Sequence, residues 1–131
     1  LKKNRGLSIL LVSHDLGVVH YVCDRVFVMY LGRIMESGPT TRVFDNPEHP
    51  YTRALLSAIP QPTLRSTLPK IILSGEPPDP TNPPQGCRFS GRCPYKQTIC
   101  EEKEPDLCSI SEDRRVRCVL VEMGKLSLDS S

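Results

Sequence analysis

Cysteines are the residues of this chain whose type and spacing point most directly to a chemical role. Five of the six cysteines lie between residues 87 and 118, and five and then six residues separate Cys87, Cys93 and Cys100. Such regular spacing is typical of a metal site built from thiolates. Structural zinc usually has two to four residues between neighbouring ligands, and iron-sulfur clusters usually show a closer run of cysteines. The spacing therefore leaves zinc and an iron-sulfur cluster equally open, with disulfides or free thiols as a further alternative.

The rest of the composition is that of an intracellular protein, in which disulfides are disfavoured. The chain has 131 residues and a net charge of +2. It contains no apolar run near the roughly 20 residues that cross a bilayer, and no cleavage-site pattern follows its start. The small net charge does not suggest a dedicated nucleic-acid or membrane-surface binder. We expect a soluble, cytosolic chain.

A histidine also stands where functional residues are common. His14 follows a continuous apolar run at residues 8–12, which predicts a strand buried on both faces of a parallel sheet. Ligand sites of α/β sheets lie at the carboxyl ends of such strands, and a neutral imidazole there donates a hydrogen bond to a phosphate oxygen or positions a water. The alternative is that His14 only caps the following helix or bonds a carbonyl. His20 and His49 have contexts that indicate structural roles.

Residues 1–60 predict strands and helices in alternation. Asp15 is placed to cap a short helix that runs through Tyr21, and Leu31-Gly32 predicts a tight turn with positive φ at the glycine. The strands predicted around this turn are 25–30 and 33–38, and the helices predicted after it are 39–44 and 50–59.

The composition changes in the second half of the chain. Residues 61–86 are rich in proline and predict an extended linker. Residues 87–123 hold cysteines among charges, with too little apolar surface for a core, so we expect a metal to hold this segment together. Residues 124–131 predict a frayed tail. The chain is thus divided into 1–60, the linker 61–86, a metal-binding extension 87–123 and the tail.

Three segments resemble a known family. ILLVSHDLGVVHYVCDRVFVMYLGRIMESG at residues 9–38 resembles the part of ABC-transporter ATPases that carries the switch histidine. HPYTRALLSAIP at residues 49–60 is similar to the oligopeptide/dipeptide importer subfamily, and GEPPDPTNPPQGCRFSGRCPYKQTIC at residues 75–100 resembles its C-terminal extension. The resemblance implies an α/β fold: the C-terminal strand-helix part of an ABC-type ATPase domain, followed by a small, irregular, metal-stapled cysteine lobe. It also implies that His14 is the switch-loop histidine, which contacts the γ-phosphate of ATP and links the nucleotide to the partner subunit.

The resemblance favours one metal over the other. In peptide-importer ATPases the similar extension can carry a [4Fe-4S] cluster, so the resemblance favours such a cluster here, with zinc as the alternative. Cys108 and Cys118 are both within reach as a fourth ligand, and the family pattern favours Cys118, which follows a basic, strand-like stretch. The implied ligands are Cys87, Cys93, Cys100 and Cys118. Cys108 is then an extra thiol, and Cys23 is interpreted as a small buried hydrophobic residue.

Basic residues flank the cysteines, and we interpret them as charge compensation or solvated surface rather than as nucleic-acid contacts. They are Arg88, Arg92, Lys96, Arg114, Arg115 and Arg117.

The sequence also lacks parts that phosphoryl transfer requires. No phosphate loop of the form G-x-x-x-x-G-K-[ST], no Mg²⁺-linked carboxylate after a strand and no LSGGQ-type signature is found. The chain starts without methionine at a pattern typical of a helix end, so we expect a fragment that is inactive alone, while the intact subunit binds ATP and Mg²⁺ and powers peptide import.

The implied setting is a membrane transporter. The resemblance implies a cytoplasmic subunit, peripheral on the inner face of the cell membrane. Its implied partners are a second ATPase subunit, membrane-spanning permease subunits and, indirectly, a peptide-binding protein, without nucleic acid. The alternative is a free-standing metal-binding module that contacts RNA or protein through the cysteines.

Overall fold

The computed structural model describes residues 10–13, 15–58, 79 and 81–124. These residues form a mixed α/β structure around a four-stranded antiparallel sheet with the order β1-β2-β4-β3. The strands are β1 (Arg25–Tyr30), β2 (Arg33–Pro39), β3 (Cys108–Ser111) and β4 (Arg114–Val116). The helices are α1 (Leu16–Val22), α2 (Thr40–Asp45), α3 (Pro50–Ser57), α4 (Thr98–Glu102) and α5 (Val119–Glu122), and a single 3₁₀ turn spans Ser90–Arg92.

The predicted hairpin is confirmed. Strands β1 and β2 pair from Arg25 opposite Pro39 to Tyr30 opposite Arg33. The connecting residues Leu31 and Gly32 have φ of 49° and 77°, as two-residue hairpin turns with a primed geometry require. Positive φ was predicted for the glycine but not for the leucine.

Helix starts follow their capping residues. The carboxylate of Asp15 accepts hydrogen bonds from the backbone N–H groups of Gly17 (3.1 Å) and Val18 (3.3 Å), which confirms the predicted cap of α1. Helix α3 begins at Pro50, whose fixed φ suits the first helical position. Its predicted end at Ile59 lies outside the described residues, as does most of the predicted linker.

The sheet joins the two halves of the chain. Strand β2 of the hairpin pairs with β4, with Glu36 opposite Val116 and Ser37 opposite Arg115, and β4 pairs with β3. The segment that was predicted to be irregular therefore supplies two strands of the sheet. This difference arises because β2 has a second edge, and pairing it satisfies backbone groups that would otherwise face water or the core unpaired.

The main core is also shared between the halves. Tyr30 and Met35 of the hairpin pack with buried residues from the second half, which are Cys87, Phe89, Cys100, Val116, Cys118 and Leu120. Phe89 is fully buried, and its ring lies 5.3 Å from that of Tyr30 in an edge-to-face arrangement. Residues 87–123 were expected to have too little apolar surface for a core of their own, and in the structure they share one with the hairpin.

The start of the described chain differs from the prediction. Residues 10–13 form no strand, and Leu10 and Val12 are 86% and 89% exposed. A strand of this kind is buried only when helices or other strands cover both of its faces, and none of the described helices or strands covers residues 10–13. No helix in the described ranges is long and apolar enough to cross a membrane.

Candidate functional site

Four cysteines line one small cavity to which the 3₁₀ turn contributes Ser90. They are the four that were selected from the sequence, namely Cys87, Cys93, Cys100 and Cys118. The cavity is completed by His49, Pro50, Phe89, Ser90, Val119 and Leu120. Apart from the histidine and Ser90, these additional lining side chains are apolar.

The 3₁₀ turn brings Cys87 and Cys93 to the same cavity. The N–H of Ser90 donates to the carbonyl oxygen of Cys87 at 3.0 Å, and the N–H of Cys93 donates to the carbonyl oxygen of Ser90 at 3.4 Å. These two bonds fold the five intervening residues into a compact loop. The 3₁₀ turn therefore brings Cys87 and Cys93 to one cavity, although more residues separate them than is usual between zinc ligands.

Cys100 reaches the cavity because two backbone segments lie in direct contact. The N–H of Cys87 donates to the carbonyl oxygen of Cys100 at 2.8 Å. At Gly86 an added Cβ would lie 2.2 Å from that oxygen and 2.6 Å from Cα of Glu101. Only glycine permits this approach, so Gly86 holds the Cys87 loop against α4.

Cys118 is positioned by the sheet. It follows the end of β4 after one intervening residue and precedes α5, whose residue Glu122 donates its N–H to the carbonyl oxygen of Cys118 at 3.0 Å. The neighbouring N–H of Arg117 donates to the carbonyl oxygen of Met35 at 2.8 Å. The hairpin therefore anchors the fourth cysteine at the cavity.

The other two cysteines lie elsewhere. Cys108 is in β3 and does not line the cavity; burial and the neighbouring carboxylates of Glu122 and Asp106 raise its pKa. Cys23 is partly buried at the end of α1 and packs against a small apolar cluster, which consists of Val19, Phe44 and Leu56.

Burial favours the protonated thiol at three of the four cysteines that line the cavity. Burial raises the pKa of Cys87 to about 11 and that of Cys93 to about 12, with the neighbouring thiols adding to the effect, and burial also raises the pKa of Cys118. None of the six flanking basic residues is among the residues that line the cavity in the described part of the chain. Instead, Arg88 pairs with Glu104 at 3.4 Å and Lys96 with Glu101 at 3.1 Å.

A single metal ion and an iron-sulfur cluster place different demands on the arrangement of the four cysteines. Among the residues that the structure describes, no set of three or more His, Cys, Asp or Glu side chains is arranged to hold a metal ion. The four thiols instead stand around a shared cavity. A single tetrahedral ion needs ligands that converge on one point, whereas a cubane cluster presents its irons at separate corners. A donor set of four cysteines without a carboxylate is used both by iron-sulfur clusters and by structural zinc.

His49 belongs to this site, although its sequence context indicated only a structural role. It is 1% exposed and caps α3, since its Nδ1 accepts a hydrogen bond from the N–H of Tyr51 at 3.0 Å. Burial lowers its pKa to about 3, and a backbone hydrogen bond with Arg117 opposes this shift only in part. Its position at a helix N-terminus was recognised in the sequence, but no local signal showed that it also lines the cysteine cavity.

A buried ion pair supports the same region and was not anticipated. The carboxylate of Glu36, which is fully buried in β2, accepts hydrogen bonds from Arg114 at 2.7 Å and from the N–H groups of Glu48 and His49. Desolvation raises the pKa of Glu36, while these donors lower it. The carboxylate therefore ties β2, β4 and the loop before α3 together.

His14, the predicted γ-phosphate contact, lies outside the described residues. Its role stays a prediction from the sequence.

Comparison with known proteins identifies similar chains. The family model described as "Oligopeptide/dipeptide transporter, C-terminal region" matches residues 35–100. A putative peptide import ATP-binding protein of Brucella ovis is 46% identical over 119 residues, which cover 91% of this chain and 38% of that protein. The dipeptide transport ATP-binding protein of Haemophilus influenzae is 45% identical over 124 residues, covering 93% of this chain and 37% of that protein. A putative oligopeptide transport ATP-binding protein of Bacillus subtilis is 45% identical over 122 residues, covering 92% and 37%.

These similarities extend along most of this chain but only part of each relative. The chain spans somewhat more than a third of the length of the curated relatives it matches. None of these relatives supports the alternative of a free-standing RNA- or protein-binding module.

Proposed function

This chain belongs to the family of oligopeptide/dipeptide transporter C-terminal regions, and from that membership we propose that it is the C-terminal part of the ATP-binding subunit of a peptide importer. The observation that carries the proposal is the identity of 46% along 91% of the chain with a putative peptide import ATP-binding protein. The relatives' names specify ATP binding and the transport of peptides, and the same activity is proposed for the intact subunit.

Within that subunit, the described residues do not supply the nucleotide site. The sequence holds no phosphate loop, no Mg²⁺-linked carboxylate and no signature motif, so ATP and Mg²⁺ would be bound mainly by residues that this chain does not contain. His14 would contribute one hydrogen bond to the γ-phosphate and so report the nucleotide state to a partner. The support for this role is the segment at residues 9–38 that resembles the switch region.

We further propose that Cys87, Cys93, Cys100 and Cys118 hold a [4Fe-4S] cluster. The support is that all four line one cavity while Cys108 and Cys23 do not. When bound, the cluster supplies four iron–thiolate bonds that join the loop after Gly86, helix α4 and the end of β4. The protein's part is to present the four thiols from three backbone segments and to exclude water with Phe89 and Leu120. Zinc is the alternative metal, and the four-thiol donor set also suits it.

The partners follow from the proposed transporter. We expect membrane-spanning permease subunits, a second ATPase subunit and, indirectly, a peptide-binding protein, with the subunit peripheral on the cytoplasmic face of the membrane.

One experiment tests the transport proposal. The full-length subunit and its permease subunits are reconstituted in proteoliposomes that enclose either ATP or no nucleotide, and uptake of a labelled dipeptide mixture, added outside with the peptide-binding protein, is measured. We expect ATP-dependent uptake that is lost when the phosphate-loop lysine of the full-length subunit is changed to alanine. Equal uptake in the variant, or uptake that needs no ATP, would contradict the proposal.

A further inference from the structure

The two edges of the sheet are built differently. In the order β1-β2-β4-β3, strands β1 and β3 are the edge strands among the described residues. An edge strand leaves backbone N–H and C=O groups unpaired, and natural proteins protect free edges with short strands, charges or bulges. Strand β3 has such protection, because it holds four residues, two of them serine, and Ile110 has no partner in β4, which makes a bulge.

Strand β1 lacks this protection. It holds six residues, and after Arg25 the run VFVMY contains no charge and no proline. Arg25 donates to the carbonyl oxygen of Asp113 at 3.2 Å, so its charge is held at the start of the strand. The bulge on this side of the sheet is at Met35 of β2 and leaves β1 continuous. Uncharged runs of this length and strand propensity aggregate when they lie at a free edge.

One face of β1 is also apolar and uncovered in the described structure. Val28 and Tyr30 are buried towards the core. Phe27 and Met29 lie on the opposite face, because side chains alternate along a strand, and they are 53% and 56% exposed. The two side chains are neighbours on that face, beside the open edge.

Phe27 stands at one end of a row of side chains that crosses the sheet on this face. The register gives the row as Phe27, Ser37, Arg115 and Ser109. The end of the row in β3 is the exposed, polar Ser109, as expected of an edge that faces water. The end in β1 has the composition of a covered surface.

We propose that β1 is a docking edge: in the intact subunit, a strand from outside this chain pairs along β1, and its side chains contact Phe27 and Met29. This inference rests on the function proposed above. A strand is the partner that fits, because it bonds the free backbone groups of the edge while its alternate side chains lie beside the exposed face.

The source of that strand is the same subunit rather than a second copy of the chain. The Brucella ovis relative is matched over only 38% of its length, so a subunit of that kind has ample further chain to supply a strand. A covalently attached segment also meets the edge at a much higher effective concentration than a separate molecule does.

Hydrogen exchange of the full-length wild-type subunit, resolved to single amides, tests the pairing. A strand bonded on one side leaves every second amide free to exchange rapidly, whereas a strand bonded on both sides protects them all. We expect every amide of residues 26–29 to be slowed by about 10²-fold or more relative to the unfolded chain, while β3 keeps rapidly exchanging amides. Alternating fast and slow amides in β1 would overturn the inference. Protection of β1 that is lost on dilution would overturn it in favour of a second copy.

A pair of matched substitutions tests the apolar face in the same subunit. Phe27→Lys places a charge where the added strand is expected, and it should speed exchange of the β1 amides about tenfold or more. Ser109→Lys is the control, because it places the same charge on the same face at the other edge, and it should leave β1 unchanged. Equal effects of the two variants, or no effect of Phe27→Lys, would overturn the inference.

The result is separable from the test of transport. ATP-dependent uptake by a subunit whose β1 shows alternating exchange would overturn the docking edge alone. A fully protected β1 in a subunit without ATP-dependent uptake would contradict the proposed function alone.

Discussion

The backbone N–H of Cys87 donates to the carbonyl oxygen of Cys100 at 2.8 Å, and the contact is possible because Gly86 has no side chain. This single bond brings the first and third cysteines of the sequence pattern to one cavity. It explains why the segment does not need the short spacing of a zinc knuckle.

Gly86→Ala should disrupt this contact. The new Cβ would meet backbone atoms of Cys100 and Glu101 at 2.2 and 2.6 Å, and backbone cannot move aside as a flexible side chain does. We expect a loss of about 1–3 kcal/mol in the free energy of unfolding, measured by urea titration, together with reduced metal content. Gly91→Ala is the control, because an added Cβ at residue 91 meets nothing within 4 Å. Similar losses in both variants would show that the close approach is not responsible.

Breaking the ion pair between Glu36 and Arg114 should strongly destabilise the fold. The two side chains are 0% and 7% exposed, so Arg114→Ala leaves a buried carboxylate without its main cationic partner. We expect a loss of about 3–5 kcal/mol in chemical unfolding. The exposed pair of Lys96 and Glu101 is the control, and Lys96→Ala should cost about 0–1 kcal/mol. A loss below 1 kcal/mol in Arg114→Ala would refute a structural role for the pair.

Phe89 should matter to both halves of the chain. Its ring contacts Tyr30 and Tyr51, each at a centroid distance of 5.3 Å, and it also lines the cysteine cavity. Phe89→Ala should cost about 3–5 kcal/mol in the free energy of unfolding. Phe27→Ala, at a position 53% exposed, should cost much less. We expect the hairpin and the cysteine segment of the wild type to unfold in one transition. Two separate transitions would show that the shared core does not make the two halves unfold together.

The sequence predicted features that depend on neighbouring residues. The cap at Asp15, the turn at Leu31-Gly32 and the start of α3 at Pro50 all follow from short-range chemistry, and all three are present. The four cysteines were selected by spacing and family resemblance, and the structure places them around one cavity.

Features that depend on distant residues were not predicted. Glu36 lies opposite Val116 in the sheet, and no local feature of β2 or β4 indicates this pairing. The burial of Glu36 could therefore not be predicted from the sequence around it. The place of His49 beside the cysteines is likewise visible only once these distant residues line one cavity. The apolar run at residues 8–12 was read as a buried strand, but burial requires layers that the described residues do not place around Leu10 and Val12.

Nucleotide hydrolysis should require the whole subunit. The 131-residue chain contains no phosphate loop, so we expect no release of phosphate from ATP above that of a heat-inactivated sample. In the full-length subunit, His14→Ala should lower the rate of hydrolysis by about 10²-fold, the scale of one lost transition-state hydrogen bond in a dry site. An unchanged rate would indicate that His14 only caps the helix or bonds a carbonyl. Hydrolysis of ATP by the pure 131-residue chain would contradict the proposal that residues outside this chain form most of the nucleotide site.

The most direct test of the central claim is the iron and acid-labile sulfide content of the chain after anaerobic reconstitution, measured for wild type and for single serine variants. Wild type should be brown and contain about four irons and about four sulfides per chain, and serine at Cys87, Cys93, Cys100 or Cys118 should remove most of both. Serine at Cys108 or Cys23 should leave the content unchanged, since neither lines the cavity. One zinc per chain and no iron under iron-replete conditions, or loss of iron in Cys108→Ser but not in Cys118→Ser, would contradict the account.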